Sequence, residues 1–170
     1  MKKTYISYLL MAFAMIFGFT ACDPETDEDA GGTNVEKMAG FWEVKVDAVD
    51  ANGNVVAQDP YGLGTVAMRT YNTAANTSTE MWLDDLGNFY NFKFKVDVNY
   101  PARTFSATER DYDAKGTGKA VVTDGKVLEG QAKNLHGMPN DSICFSVKFS
   151  DDTSGLTYRI SGQRKTGFYE

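Results

Sequence analysis

Histidine is all but missing from this chain: its 170 residues include one, His136. Any catalysis that moves a proton through imidazole therefore has a single place to stand. Cysteine is nearly as scarce, with Cys22 and Cys144 alone, and no paired-cysteine motif or second histidine is available to build a zinc site. A long apolar run is also lacking. The most hydrophobic stretch, Tyr8 to Phe19, falls short of the roughly 20 residues that a membrane helix needs. Basic residues are in the minority, with 17 Lys and Arg against 23 Asp and Glu and a net charge of −6. No basic stripe exists to displace counterions from phosphates, which argues against nucleic acid as a partner. Finally, no long segment carries a helical period.

The N-terminus reads as an address. Lys2 and Lys3 precede the apolar run, as in a signal peptide, and Phe19-Thr20-Ala21-Cys22 resembles the bacterial lipobox, in which small residues precede a cysteine that is diacylated and becomes the first residue after cleavage. This assigns residues 1–21 to a lipoprotein signal peptide and Cys22 to lipidation, with the anchor in the outer membrane of the cell envelope. Several acyl chains, at about 0.8 kcal/mol per buried methylene, hold a protein on a bilayer where one does not. Cleavage would remove two lysines and take the net charge from −6 to −8. With Cys22 lipidated, Cys144 is left without a disulfide partner. The following "CDPETDEDAGGTNVEK", residues 22–37, is acidic and almost free of apolar side chains, and reads as a flexible tether. The folded domain is expected over 38–170.

From Met38 onward the period is two. In "NFYNFKFKVDVNY" Tyr90, Phe92, Phe94, Val96, Val98 and Tyr100 share one face, and Asn91, Lys93, Lys95, Asp97 and Asn99 the other, which predicts a strand over 89–100 with one wet face. "DSICFSVKFS" sets Ile143, Phe145, Val147 and Phe149 against Ser142, Cys144, Ser146 and Lys148, placing Cys144 on the polar side as a small bystander. Weaker alternation marks 42–48, 65–71, 78–83, 104–112 and 156–161. Asn52-Gly53, Gly87-Asn88, Asp124-Gly125 and Ser154-Gly155 supply turns. "DGKVLEGQAKNL" alternates poorly. Eight to ten antiparallel strands can form a sandwich or a barrel. Pro101, at the end of the longest strand and not inside it, favours a barrel.

"GFW", Gly40 to Trp42, resembles the Gly-x-Trp signature of lipocalins and the wider calycin group. That resemblance implies a Trp closing one barrel end, with an Arg of the last strand across it, a part for Arg159 or Arg164. The succession of lipoprotein signal, acidic tether, "GFWEVKV", "TYNTAANTSTEMWLDD", "NFYNFKFKV" and "ISGQRKTGF" resembles the Bacteroidetes lipid-binding putative hydrolase family. It implies an exported, lipocalin-like antiparallel barrel. The acids behind Cys22 resemble the surface-export signal of lipoproteins in the same group of bacteria, and Asp141-Ser142-Ile143 resembles the short pattern that receives O-glycans there, making Ser142 a modification candidate.

The hydrolase half of that description needs a nucleophile, a base and an orienting acid. His136, Asp141 and Ser142 lie close in sequence, but Gly137, Pro139 and Asn140 give "NLHGMPNDSI" the look of a hairpin loop, and no Gly-x-Ser-x-Gly elbow occurs. Asp84-Asp85, Asp111, Asp113 and Asp151-Asp152 offer carboxylate pairs for glycoside chemistry, yet all fall at strand ends and read as solvated turn acids. "DYDAKGTG" lacks the later oxygens of a calcium loop, and "KGTGK" precedes no helix. No metal or cofactor is expected.

A binding role is therefore the leading expectation: a barrel of about eight strands holds either packed side chains or one small ligand. The expected lining for a hydrophobic or amphipathic, lipid-like molecule is Trp42, Tyr90, Phe92, Phe94, Tyr100, Phe145 and Val147, with Val44, Val98 and the adaptable Met68, Met81 and Met138 beside them. The alternatives are a hydrolase using His136 with Ser142 or a carboxylate, and a non-catalytic accessory in glycan capture or envelope assembly. The accessory role would need Trp82 or Phe41 as an exposed aromatic platform.

Overall fold

A computed structural model describes residues 32–113, 116–134 and 136–167. Cys22 and the acidic run behind it lie outside these residues. The described residues from Thr33 onward belong to one compact unit. Its described residues form nine strands and no helix: β1 (Gly40–Val49), β2 (Val55–Gln58), β3 (Val66–Asn72), β4 (Glu80–Asp84), β5 (Lys93–Asn99), β6 (Thr104–Asp111), β7 (Lys119–Lys133), β8 (Pro139–Phe149) and β9 (Thr157–Arg164).

Every neighbouring pair is antiparallel, and β1 also pairs with β9 from Trp42↔Arg164 to Val49↔Thr157. That pairing closes eight strands into a barrel and removes the open edges of a sandwich. The other edge of β1 is divided: Gly40 to Val44 pair with β3, and Asp47 to Val49 with the extra strand β2. Because the barrel is closed, alternation sorts side chains cleanly. Trp42, Val44, Val46 and Ala48 of β1, Ile143, Phe145, Val147 and Phe149 of β8, and Tyr158 and Ile160 of β9 all point inward and are at most 2% exposed.

The expected strand over 89–100 is shorter than its pattern. Asn91 sits at φ 54°, where a continuous ladder cannot run, so 85–92 is a loop that still delivers Tyr90 and Phe92 to the inward face. β2 and β7 carried weak or no alternation. In β7 the expected Asp124-Gly125 turn is a bulge inside the strand: the register shifts between Thr123 and Lys126 and again between Leu128 and Ala132, and Asp124 takes φ 56°. Each extra residue flips the face that follows, which erases a period-two signal.

Candidate functional site

The two ends of the barrel are built differently. At one end the chain before β1 folds into turns over 34–38, and Val35 and Met38 are fully buried, so the last residues of the expected tether belong to the core. Trp42 lies beneath them, also fully buried. Its indole N–H donates to Thr70 Oγ1 at 2.8 Å, and the Thr70 hydroxyl donates to the Met38 carbonyl at 2.6 Å. The Arg164 guanidinium lies 4.6 Å above the Trp42 ring, donates to the carbonyls of Ala39 and Lys37, and pairs with Asp141 at 3.2 Å. Of the two arginines considered, Arg164 is the one that crosses the Trp; Arg159 faces outward. A Cβ on Gly40 would stand 2.5 Å from Arg164 Nη1, which explains the glycine two residues before the Trp. This end is sealed.

The opposite end is filled by aromatic side chains. Tyr61 comes from the β2–β3 loop, and Phe89 and Tyr90 from the β4–β5 loop. Tyr61 packs 5.7 Å from Phe89 and 5.9 Å from Tyr158. Phe89 meets Tyr90 and Tyr158 edge-on at 4.9 and 5.0 Å, and Tyr90 stacks flat on Phe149 at 4.0 Å. Phe149 continues to Phe92 at 5.9 Å and Phe92 to Phe94 at 5.6 Å. One aromatic column thus runs from solvent, where Tyr61 is 50% exposed, to the barrel centre.

The phenols of this mouth are wired to carboxylates. Tyr158 donates to Asp152 at 2.7 Å and shares a 2.6 Å hydrogen bond with the Tyr61 hydroxyl. Tyr112 donates to Asp151 at 2.6 Å. Burial pushes the Tyr90 phenol up to about 12, helped by the charge of Asp152. It raises Tyr112 and Tyr158 further, with Asp151 acting in the same sense on the first and Tyr61 and Asp152 on the second.

Asp85 holds the β4–β5 loop: its carboxylate accepts from the backbone N–H groups of Gly87, Phe89 and Tyr90 at 2.8 to 3.1 Å. Asp84 accepts from Arg69 at 2.8 Å and from Leu86 N–H at 2.9 Å. Both are buried, which corrects the reading of Asp84-Asp85 as solvated turn acids; short loops with unpaired N–H groups draw a carboxylate inward. Asp111 pairs with Lys119, Asp113 accepts from Thr117, and Asp151 and Asp152 serve the phenols. Each of these acids is already committed.

The expected lining residues are split. Trp42, Phe92, Phe94, Phe145 and Val147, with Val44, Met68 and Met81, belong to one packed interior cluster. Tyr90 lines the aromatic mouth, whereas Tyr100 stands at the sealed end, its hydroxyl 3.4 Å from Lys37 N. Met138 is exposed on the β7–β8 hairpin. Tyr61, Phe89, Tyr158 and Asp152 were not among the expected site residues: Tyr61 and Phe89 lie in loops without a period, while the inward register of Tyr158 was readable from "TYRIS".

His136, Asp141 and Ser142 are not joined by any hydrogen bond among the described residues. His136 is exposed at the hairpin tip, Asp141 is engaged by Arg164 and Gly130 N–H, and Ser142 faces outward in mid-strand between Leu128 and Gln163. Trp82 is half-buried, with Tyr71 stacked on one side at 6.4 Å and Lys93 and Lys95 within 5.7 Å of the ring, so its faces are covered. Phe41 is 54% exposed on the outer wall. No group of three or more metal-ligating side chains forms among the described residues.

A closed eight-stranded antiparallel barrel, sealed by a Trp–Arg pair at one end and stoppered by loop-borne aromatics at the other, defines a lipocalin-like protein. The chain belongs to the lipid-binding putative hydrolase family, whose model matches residues 27–169. Its family and its barrel fit a ligand-binding role. No curated protein matches it. Among solved structures it is similar to a structural-genomics protein of unknown function from Bacteroides ovatus, at 9% identity and a TM-score of 0.47, over 77% of this chain and 43% of that one. This chain therefore spans less than half of that protein's length.

Proposed function

We propose that the barrel takes up a lipid-like amphipathic molecule through its aromatic mouth, and that Cys22 anchors the protein by its acyl chains in the outer membrane, facing the cell surface. The observation that carries the binding reading is the aromatic column. Its outer members, Tyr61, Phe89 and Tyr90, ride on loops, so they swing aside without breaking a strand ladder. An acyl chain then replaces ring contacts with methylene contacts against Phe149, Phe92 and Phe94. At about 25 cal/mol per Å² of apolar surface removed from water, this drives binding. Asp151 and Asp152, beside the mouth, accept from Tyr112 and Tyr158 and keep further lone pairs for a polar head that donates hydrogen bonds.

Displacement of a fluorescent apolar dye from the full chain by a long-chain fatty alcohol tests this. Phe89→Ala and Tyr61→Ala are expected to shift the affinity by about tenfold, in either direction, because they remove both plug and contact, while Phe41→Ala on the outer wall leaves it unchanged. A chain that neither binds the dye nor retains any lipid from a lipid-rich lysate would rule the reading out. The anchor is tested separately, by detergent partitioning of the wild type against Cys22→Ser.

A further inference from the structure

The outer wall of the barrel is unevenly charged. On β3, β5 and β6 cations are spoken for: Arg69 pairs with Asp84, Lys95 with Glu80 and Arg110 with Asp97, all at 2.8 to 3.1 Å. Around β8 and β9, apart from Arg164 with Asp141 at the sealed end, they are not. Lys126, Lys148, Arg159 and Lys45 face outward there, and none forms an ion pair among the described residues.

The strand registers show what lies between them. Thr123, Ser146 and Arg159 form one row across β7, β8 and β9, and Lys126, Cys144 and Ser161 the next. Small side chains thus make a floor, with Lys126 on one flank and Arg159 and the β1–β2 turn on the other. The result is a groove of about 690 Å³, large enough for a small polar molecule. Arg159 Nη2 donates to the Gly53 carbonyl at 2.5 Å, which tethers the turn to the wall and leaves the rest of the guanidinium free. The hydroxyls of Thr123, Ser146, Thr157 and Ser161 have no hydrogen-bond partner among the described residues.

Acids are present but subordinate. Asp50 spends its carboxylate on its own turn, accepting from Asn52 N, Asn54 N and Asn54 Nδ2 at 2.8 to 3.1 Å. Asp47, beside Arg159 in register, accepts from Asp59 N at 3.1 Å. Asp124 stands at the rim on the β7 bulge. On the floor, burial raises the Cys144 thiol, while Arg159 and then Lys126 pull it down, each more strongly than Asp124 pushes it up. At the floor, the two cations thus act more strongly than the acid on the rim.

We propose that this groove is a second binding site, separate from the mouth, that holds the phosphate of a phosphate ester between Lys126 and Arg159, with the floor hydroxyls donating to its oxygens. Donors arrive from three strands, more directions than the two oxygens of a carboxylate use, which favours the three terminal oxygens of a phosphate monoester. The same chemistry is offered by a soluble phosphate ester and by a phospholipid head.

The test follows amide shifts of Ser146 and Ser161 in the full chain carrying Cys22→Ser, titrated with glycerol phosphate, with inorganic phosphate and with glycerol. Sedimentation with phosphatidic acid vesicles, against phosphatidylcholine vesicles, runs in parallel. Saturable shifts with glycerol phosphate assign a soluble ester; sedimentation with phosphatidic acid alone, without such shifts, assigns a lipid head. Lys126→Met is expected to weaken whichever interaction is seen by about fivefold, and Lys126→Met with Arg159→Met by more than about tenfold. Lys133→Met on the far hairpin leaves it unchanged. Phe89→Ala leaves the glycerol phosphate shifts of Ser146 and Ser161 unchanged, which separates this site from the mouth. Absence of saturation with every phosphate probe, or wild-type binding by the double variant, overturns the proposal.

Discussion

At Gly162 the barrel leaves no room for a side chain. This residue pairs with Val44 where β9 closes on β1, and a Cβ there would lie 1.9 Å from the Glu43 carbonyl oxygen and 2.6 Å from Val44 Cα. Both obstacles are backbone, so neither can rotate away. Gly162→Ala should therefore cost at least about 3 kcal/mol, read as a fall in the denaturant midpoint; an unchanged midpoint would mean the seam is looser than its geometry. Gly40→Ala is milder in kind, because its obstacle is the Arg164 head, but that head is pinned by two carbonyls and Asp141. The Gly-x-Trp triplet and a partner arginine were legible in the sequence as a resemblance. What was not legible is why the glycine is needed, since that depends on Arg164, which lies near the opposite end of the domain in sequence.

Among the elements, β5 and β8 announced their faces because strict alternation survives wherever one side is buried and the ladder is regular. β7 did not, for a specific reason. Its bulge at Asp124-Gly125 brings the chain against Phe105, and a Cβ on Gly125 would stand 2.3 Å from the Phe105 carbonyl and 2.5 Å from its ring. A glycine forced by such contact looks, in sequence, the same as one forced by a turn. Gly125→Val should destabilise the fold by about 3 kcal/mol. It should also distort the phosphate groove, whose Lys126 and Thr123 flank the bulge. Amide exchange resolved by strand checks this: β6 and β7 should lose protection before β1 and β9. The loops are the complementary case. Tyr61 and Phe89 fall outside any period, yet they build the candidate mouth, so the site was legible only at Phe94 in β5 and at Tyr90 and Phe92, where the alternation of β5 runs on into the loop before it.

For the molecule as a whole, the wiring of the mouth ties stability to pH on the alkaline side. Burial raises Tyr90 to about 12 and moves Tyr112 and Tyr158 the same way. Below about pH 10, the ordinary phenol value, folded and unfolded chains both keep these protons, and the stabilisation is fully present. As pH climbs past that value the unfolded chain ionises first, so stability drains away until the folded phenols themselves titrate. The carboxylates sharpen the effect, since a phenolate on Tyr158 would face Asp152 at hydrogen-bond distance. The denaturant midpoint should thus be flat from about pH 7 to pH 9 and fall steadily above about pH 10. Tyr158→Phe, which keeps the ring in the aromatic column and removes the proton, should be less stable near neutrality yet show a shallower alkaline fall. A fall as steep in Tyr158→Phe as in the wild type would show that the loss comes from exposed tyrosines and general charge repulsion. A ligand seated among these phenols should leave that onset in place but raise the midpoint and carry the pH at which the chain unfolds upward, because it binds only the folded, protonated mouth, and this ties the pH response of the whole barrel to occupancy of its aromatic end.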